Sequence, residues 1–113
     1  MKHINVQELY TILSQNPGLK LVDVRSLDEF RVGHIPQAIS VPLDLILSDT
    51  KSAIDTINQQ LQDQETIYVV CLSDRRSFMA CHKLLESDVH NVCFLQGGTK
   101  AWASEGYPIV TES

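Results

Sequence analysis

The sequence predicts an α/β fold with a central parallel sheet of four to five strands and helices on both faces. Two patterns carry that expectation: short runs that are apolar throughout, and amphipathic segments of helical period set between them. A strand apolar on both its faces suits a sheet covered on both sides, whereas a half-solvated strand would alternate. The chain has 113 residues, 43% of them apolar, enough for one hydrophobic core and too few for two. Residues 1–113 are therefore expected to form a single domain.

Each element follows from local pattern. Asn5-Val6-Gln7-Glu8 resembles a capping box with Asn in place of Ser or Thr, and Val6, Leu9, Tyr10 and Leu13 make one apolar helix face. Residues 1–5 are read as running directly into that helix, and Asn16-Pro17-Gly18 ends it. Lys20 to Val24 reads as a strand, and Ser26-Leu27-Asp28-Glu29 as a second capping box opening a short helix that Gly33 stops. Ala38 to Val41 is a short strand closed by Pro42. Ser52 to Leu61 carries Ile54, Ile57 and Leu61 on one helical face. Thr66 to Cys71 is the third clear strand; Phe78, Cys81 and Leu85 mark the inner face of the helix after it. Val92 to Leu95 is the fourth, and Gly97-Gly98 turns the chain into a last short helix holding Ala101 and Trp102.

Charge and cysteine usage narrow the function. A net charge of −5 and a pI near 5.2 argue against nucleic acid or an anionic membrane as the main partner. No apolar stretch approaches the roughly 20 residues of a membrane helix, and the amino-terminal residues have no signal-peptide core, so a cytoplasmic location is expected. Cys71, Cys81 and Cys93 form no CxxC pair and no zinc-like spacing with His3, His34, His82 or His90. Reduced thiols, no metal and no cofactor are expected.

The most informative stretch is Ile67 to Ser77. A buried strand ends in a cysteine, a polar loop with two arginines follows, and a helix begins. A thiol placed before a helix amino terminus meets backbone N–H groups and a dipole that favour an anion, hence the thiolate, its nucleophilic form. Cys71 is the candidate nucleophile, and Leu72, Ser73, Asp74, Arg75, Arg76 and Ser77 are the candidate substrate-binding loop.

Three blocks together resemble the rhodanese family of sulfurtransferases. Leu21-Val22-Asp23-Val24-Arg25-Ser26-Leu27-Asp28-Glu29-Phe30 with Gly33-His34-Ile35-Pro36-Gln37-Ala38 is similar to the family's D-x-R-x-x-x-E-[FY] and G-H-I-x-x-A. Cys71 to Ser77 stands against C-x-x-G-x-R-S, and Leu95 to Trp102 with Gly106-Tyr107-Pro108 against L-x-G-G-x-x-A-W and G-[YF]-P. The resemblance implies that Cys71 takes a sulfane sulfur from a donor such as thiosulfate or a persulfide, and passes it to a thiol or cyanide. A sulfur-carrier protein or a cysteine desulfurase are further partners it allows. Related phosphatases and arsenate reductases have one more residue between the cysteine and the arginine, which widens the loop for a tetrahedral oxyanion. Four residues separate Cys71 from Arg76, which favours sulfur.

Asp74 departs from the family's glycine. Two readings stand side by side: a carboxylate that strains the loop and opposes the thiolate, or a helix cap whose side chain turns away from Cys71. The first would leave a rhodanese-like binding module with weak catalysis. Arg76 could lie in the loop as an anion ligand or pair with Glu29; the resemblance implies the clamp with Glu29, whose rival local role is third-position acid of the Ser26 capping box. Arg75 is the freer arginine and the better candidate for substrate contact. Asp23, on a buried strand, needs donors and is expected to brace the loop or Arg25. His34 is read as a packed, hydrogen-bonded residue, and Cys81 and Cys93 as core thiols.

Overall fold

The structure is a computed structural model that describes residues 1–112. Eleven elements follow one another: β1 (Lys2–Ile4), α1 (Val6–Gln15), β2 (Leu21–Asp23), α2 (Leu27–Val32), β3 (Ala38–Ser40), α3 (Leu43–Ser48), α4 (Thr50–Leu61), β4 (Ile67–Val70), α5 (Arg75–Glu86), β5 (Val92–Leu95) and α6 (Gly98–Ser104). The five strands make one sheet in the order β1-β5-β4-β2-β3, with every pairing parallel.

The continuously apolar strands divide their side chains between two cores. Ile67, Val69 and Cys71 point to one face, where α3, α4 and α5 supply Ile46, Ala53, Ile57, Ala80 and Leu84. Val70 points to the other, with Leu9 and Leu13 of α1 and Trp102 of α6. A period of two in a strand apolar at every position requires cover on both sides.

Sequence reading missed two elements. β1 pairs with β5 at the sheet edge, Lys2 opposite Cys93 and Ile4 opposite Leu95. Its Lys2-His3 start is polar and exposed, so it lacks the apolar signature of a central strand. α3 follows Pro42, which supplies the fixed φ of a helix entry but no side-chain cap. A third expectation is corrected. The inner face of α5 is Ser77, Ala80, Cys81 and Leu84, while Phe78 is 49% exposed and Leu85 only partly buried. The helix is rotated so that its small residues meet the sheet.

Strand order places one locus apart. From β2 the chain moves outward to β3, and from β4 it moves the opposite way to β5. The carboxyl ends of β2 and β4 therefore flank the reversal, the crevice where α/β sheets bind ligands. Cys71 directly follows β4.

Candidate active site

Cys71 is 1% exposed, and its loop is suspended from the turn between β5 and α6. Thr99 N–H donates to the Cys71 carbonyl at 2.9 Å and Lys100 N–H to the Leu72 carbonyl at 3.0 Å. This close approach explains the Gly97-Gly98 pair. Both glycines have positive φ, 85° and 60°, and a Cβ on Gly98 would collide with the Cys71 and Leu72 carbonyls. The Gly-Gly pair was visible in the sequence as a turn, but its work against the cysteine loop was not.

Asp74 completes the suspension. Its Oδ1 accepts from Gly97 N–H at 2.8 Å and makes no cap bond to its own helix. The helix-cap reading of Asp74 is thereby corrected, and so is the loop strain expected of it. The residue sits at φ −132°, an ordinary region for any L-residue, so no left-handed strain arises. The carboxylate is a clasp joining two segments 23 residues apart, not a helix cap.

Because Asp74 serves elsewhere, α5 begins without a side-chain cap. The backbone N–H groups of Leu72 to Ser77 have no protein acceptor among the described residues. Unpaired donors and the positive end of a helix dipole thus lie together beside a thiol. Cys71 Sγ is 3.3 Å from Ser77 Oγ, and that hydroxyl donates to the Asp74 carbonyl at 2.9 Å. Phe78 N–H also donates to the Asp74 carbonyl. The Ser77 proton can therefore turn toward a thiolate without leaving that carbonyl unpaired.

Arg76 is committed to Glu29. Its Nη1 and Nη2 donate to Glu29 Oε1 and Oε2 at 2.6 and 3.0 Å. The same carboxylate accepts from Ser26 N–H and Oγ at 3.2 and 3.1 Å, so Glu29 fills both roles the sequence allowed. The bidentate guanidinium is the main cause that draws the Glu29 carboxyl down to about 2, and it is itself held more firmly protonated. Arg75 is exposed and forms no ion pair within 4.0 Å among the described residues.

Asp23 and Arg25 form a buried pair, 0% and 6% exposed. Arg25 Nη2 donates to Asp23 Oδ2 at 2.8 Å and to the Gly33 carbonyl at 2.7 Å, while Arg25 N–H reaches Asp23 Oδ1. Of the two braces expected of Asp23, the one on Arg25 is present; neither residue hydrogen-bonds the Cys71–Ser77 loop among the described residues. His34 is buried, with Nδ1 2.8 Å from the Phe30 carbonyl and its ring stacked on Phe30 at 3.8 Å. Cys81 and Cys93 lie in the interior, and burial pushes both thiols up, Cys81 to about 12. No cluster of three metal-ligating side chains occurs among the described residues.

A cysteine at the sheet's reversal, before an uncapped helix, is a shape that other proteins share. The rhodanese-like domain family matches residues 5–105. The chain belongs to the rhodanese-like family. A sulfurtransferase of Allochromatium vinosum is 30% identical over 110 residues, covering 97% of this chain and 95% of the relative. The adenylyltransferase and sulfurtransferase UBA4 of Meyerozyma guilliermondii is 42% identical over 92 residues, 80% of this chain; the match spans only 22% of that relative. A rhodanese-related protein of Thermoplasma volcanium superimposes with a TM-score of 0.78 at 27% identity, covering 99% of this chain and all of the other. The five-stranded parallel sheet flanked by helices is thus the rhodanese-like fold, as the sequence predicted.

Proposed function

We propose that this rhodanese-like chain is a sulfurtransferase that carries sulfane sulfur as a persulfide on Cys71. One observation carries the reading: Cys71 Sγ lies beside Ser77 at the uncapped start of α5, with the N–H groups of Leu72 to Ser77 unclaimed among the described residues. A thiolate, and the persulfide anion made from it, are the species such donors stabilise.

The steps balance without a metal or cofactor. The Cys71 thiolate attacks the outer sulfur of thiosulfate, a new S–S bond forms, and the old one breaks with its electron pair leaving on sulfite. Cyanide or a thiolate then attacks the outer sulfur of the persulfide, and the electron pair returns to Cys71 Sγ. Leu72 to Ser77 form the anion loop, and Glu29 holds its shape through Arg76. Asp23 and Arg25 fix the neighbouring β2–α2 connection. Arg75, exposed and without an ion-pair partner among the described residues, meets an anionic donor at the rim. The small-molecule donor and acceptor suit the limited exposure of Cys71, and a reducing, cytoplasmic setting suits three unpaired cysteines.

Loop economy favours sulfur over phosphate. Arg76 is committed bidentately to Glu29, which leaves backbone N–H groups to bind the anion. A single added sulfur needs fewer donors than a tetrahedral oxyanion does. Thiocyanate formation from thiosulfate and cyanide tests the reading. The parent should turn over and Cys71→Ser should not; equal turnover by both, or hydrolysis of an aryl phosphate in place of sulfur transfer, would overturn it.

A further inference from the structure

We propose that Lys100 of α6 is a specificity-determining residue of the Cys71 site, whose ammonium favours a doubly charged sulfur donor, of the thiosulfate class, over singly charged ones. The proposal rests on the sulfurtransferase reading and names the donor charge that the site takes. Arg75 is the cation that sequence pattern marks for this contact; no motif marks Lys100. The fold brings it there. Lys100 is exposed, and its backbone N–H donates to the Leu72 carbonyl at 3.0 Å, while the preceding N–H of Thr99 donates to the Cys71 carbonyl.

Two features direct the ammonium toward the loop. Lys100 is in the first turn of α6, and the start of that helix abuts the loop so closely that a Cβ on Gly98 would collide with the Cys71 and Leu72 carbonyls. Side chains lean toward the amino terminus of their helix, which here is toward the loop. Leu72, directly after Cys71, is 45% exposed. It offers an apolar surface along which a lysine stem can lie with its charged head in water.

Lys100 is also the surplus charge at this end of the sheet. The Cys71–Ser77 loop, Glu29 and residues 96–100 together hold two carboxylates and three cations. Glu29 offsets Arg76 in a bidentate pair. Asp74 stays negative while it accepts from Gly97 N–H, and it offsets its neighbour Arg75. Lys100 has no ion-pair partner within 4.0 Å among the described residues. On a chain of net charge −5, an approaching anion is repelled by the whole molecule and attracted at this one cation. Coulomb attraction is proportional to the donor's charge, so a dianion gains twice what a monoanion gains. The transfer itself is unchanged. The Cys71 thiolate attacks the sulfane sulfur, a new S–S bond forms, and the old one breaks with its electron pair leaving on the rest of the donor. Lys100 moves no proton.

The test measures kcat/KM for the donor, at fixed cyanide, on the full chain. The donors are thiosulfate, a dianion, and benzenethiosulfonate and 2-hydroxyethyl hydropersulfide, neither of which carries more than one charge. They release sulfite, benzenesulfinate and an alkyl thiolate. Lys100→Gln should lower kcat/KM about 10-fold with thiosulfate and about 3-fold or less with the other two. Lys100→Glu should double each loss on a logarithmic scale, Lys100→Arg should keep the parent rates, and Tm should hold in all three variants. Added salt should close the gap between parent and Lys100→Gln with thiosulfate. Equal losses with all three donors, no loss with thiosulfate, or a gap indifferent to salt would overturn the proposal. So would a parent that loads from the hydropersulfide and from neither anion, a result that leaves the sulfurtransferase reading standing. No loading from any of the three would sink that reading, and this proposal with it.

Discussion

Cys71 and Cys81 are equally buried, at 1% and 0% exposure, and both border the same core. Their surroundings differ in polarity rather than in depth. Cys81 sits on the inner face of α5 among apolar groups, where burial pushes its thiol up to about 12. Cys71 touches a hydroxyl and adjoins a series of backbone donors with no acceptor among the described residues. Under the proposed function the lesson lies in the donors: burial disfavours a thiolate at Cys81, and the backbone N–H groups before α5 are what would stabilise one at Cys71.

Breaking the contrast should cost most at the turn that carries the loop. Gly98→Ala would place a Cβ against the Cys71 and Leu72 carbonyls at φ +60°. Strain and collision together should cost about 2–4 kcal/mol, lowering Tm on the order of 10 °C, and activity should be lost with it. Thermal unfolding checks the first and cyanolysis the second. Ser77→Ala removes the hydroxyl that lies 3.3 Å from Cys71 Sγ. A drop of about 10- to 100-fold in kcat/KM is expected, with little change in Tm because Phe78 N–H still serves the Asp74 carbonyl.

Asp74 offers a finer test of the same suspension. Asp74→Ala deletes the acceptor for Gly97 N–H and should lower kcat/KM about 3- to 10-fold. Asp74→Asn keeps an oxygen there and should restore most of the loss. Failure of Asn to rescue would show that the charge, and not the clasp, is what matters. The smallest effect is at Glu29. Its folded carboxyl titrates near 2 rather than 4.5, so its contribution is present above pH 4.5 and lost as pH falls toward 2. Glu29→Gln should therefore be less stable than the parent at neutral pH. The gap in urea midpoint should narrow steadily as the pH is lowered through that window.

Much of this was legible in the sequence because local pattern and global fold agree. The cores of β2, β4 and β5, both capping boxes and the position of Cys71 follow from periodicity and from residue types at fixed spacing. The Arg76–Glu29 clamp was legible through the resemblance alone, since 47 residues separate the partners. What escaped notice depends on contacts that spacing does not encode. β1 exists only because β5 offers it an edge. The rotation of α5 that exposes Phe78 reflects the fit of Ser77 and Ala80 against the sheet. The Asp74 clasp requires the β5–α6 turn to lie beside the cysteine loop, a juxtaposition that only the sheet order produces.

The account stands on sulfur residing at Cys71 and at neither of its equally buried neighbours. Intact mass and peptide mapping after exposure to thiosulfate, on the parent and on Cys71→Ser, measure this directly. The account predicts a gain of one sulfur atom in the parent alone, mapped to the peptide containing Cys71 and removed by cyanide. Sulfur retained in Cys71→Ser, sulfur mapped to Cys81 or Cys93, or no gain with either thiosulfate or a low-molecular-weight persulfide would contradict it.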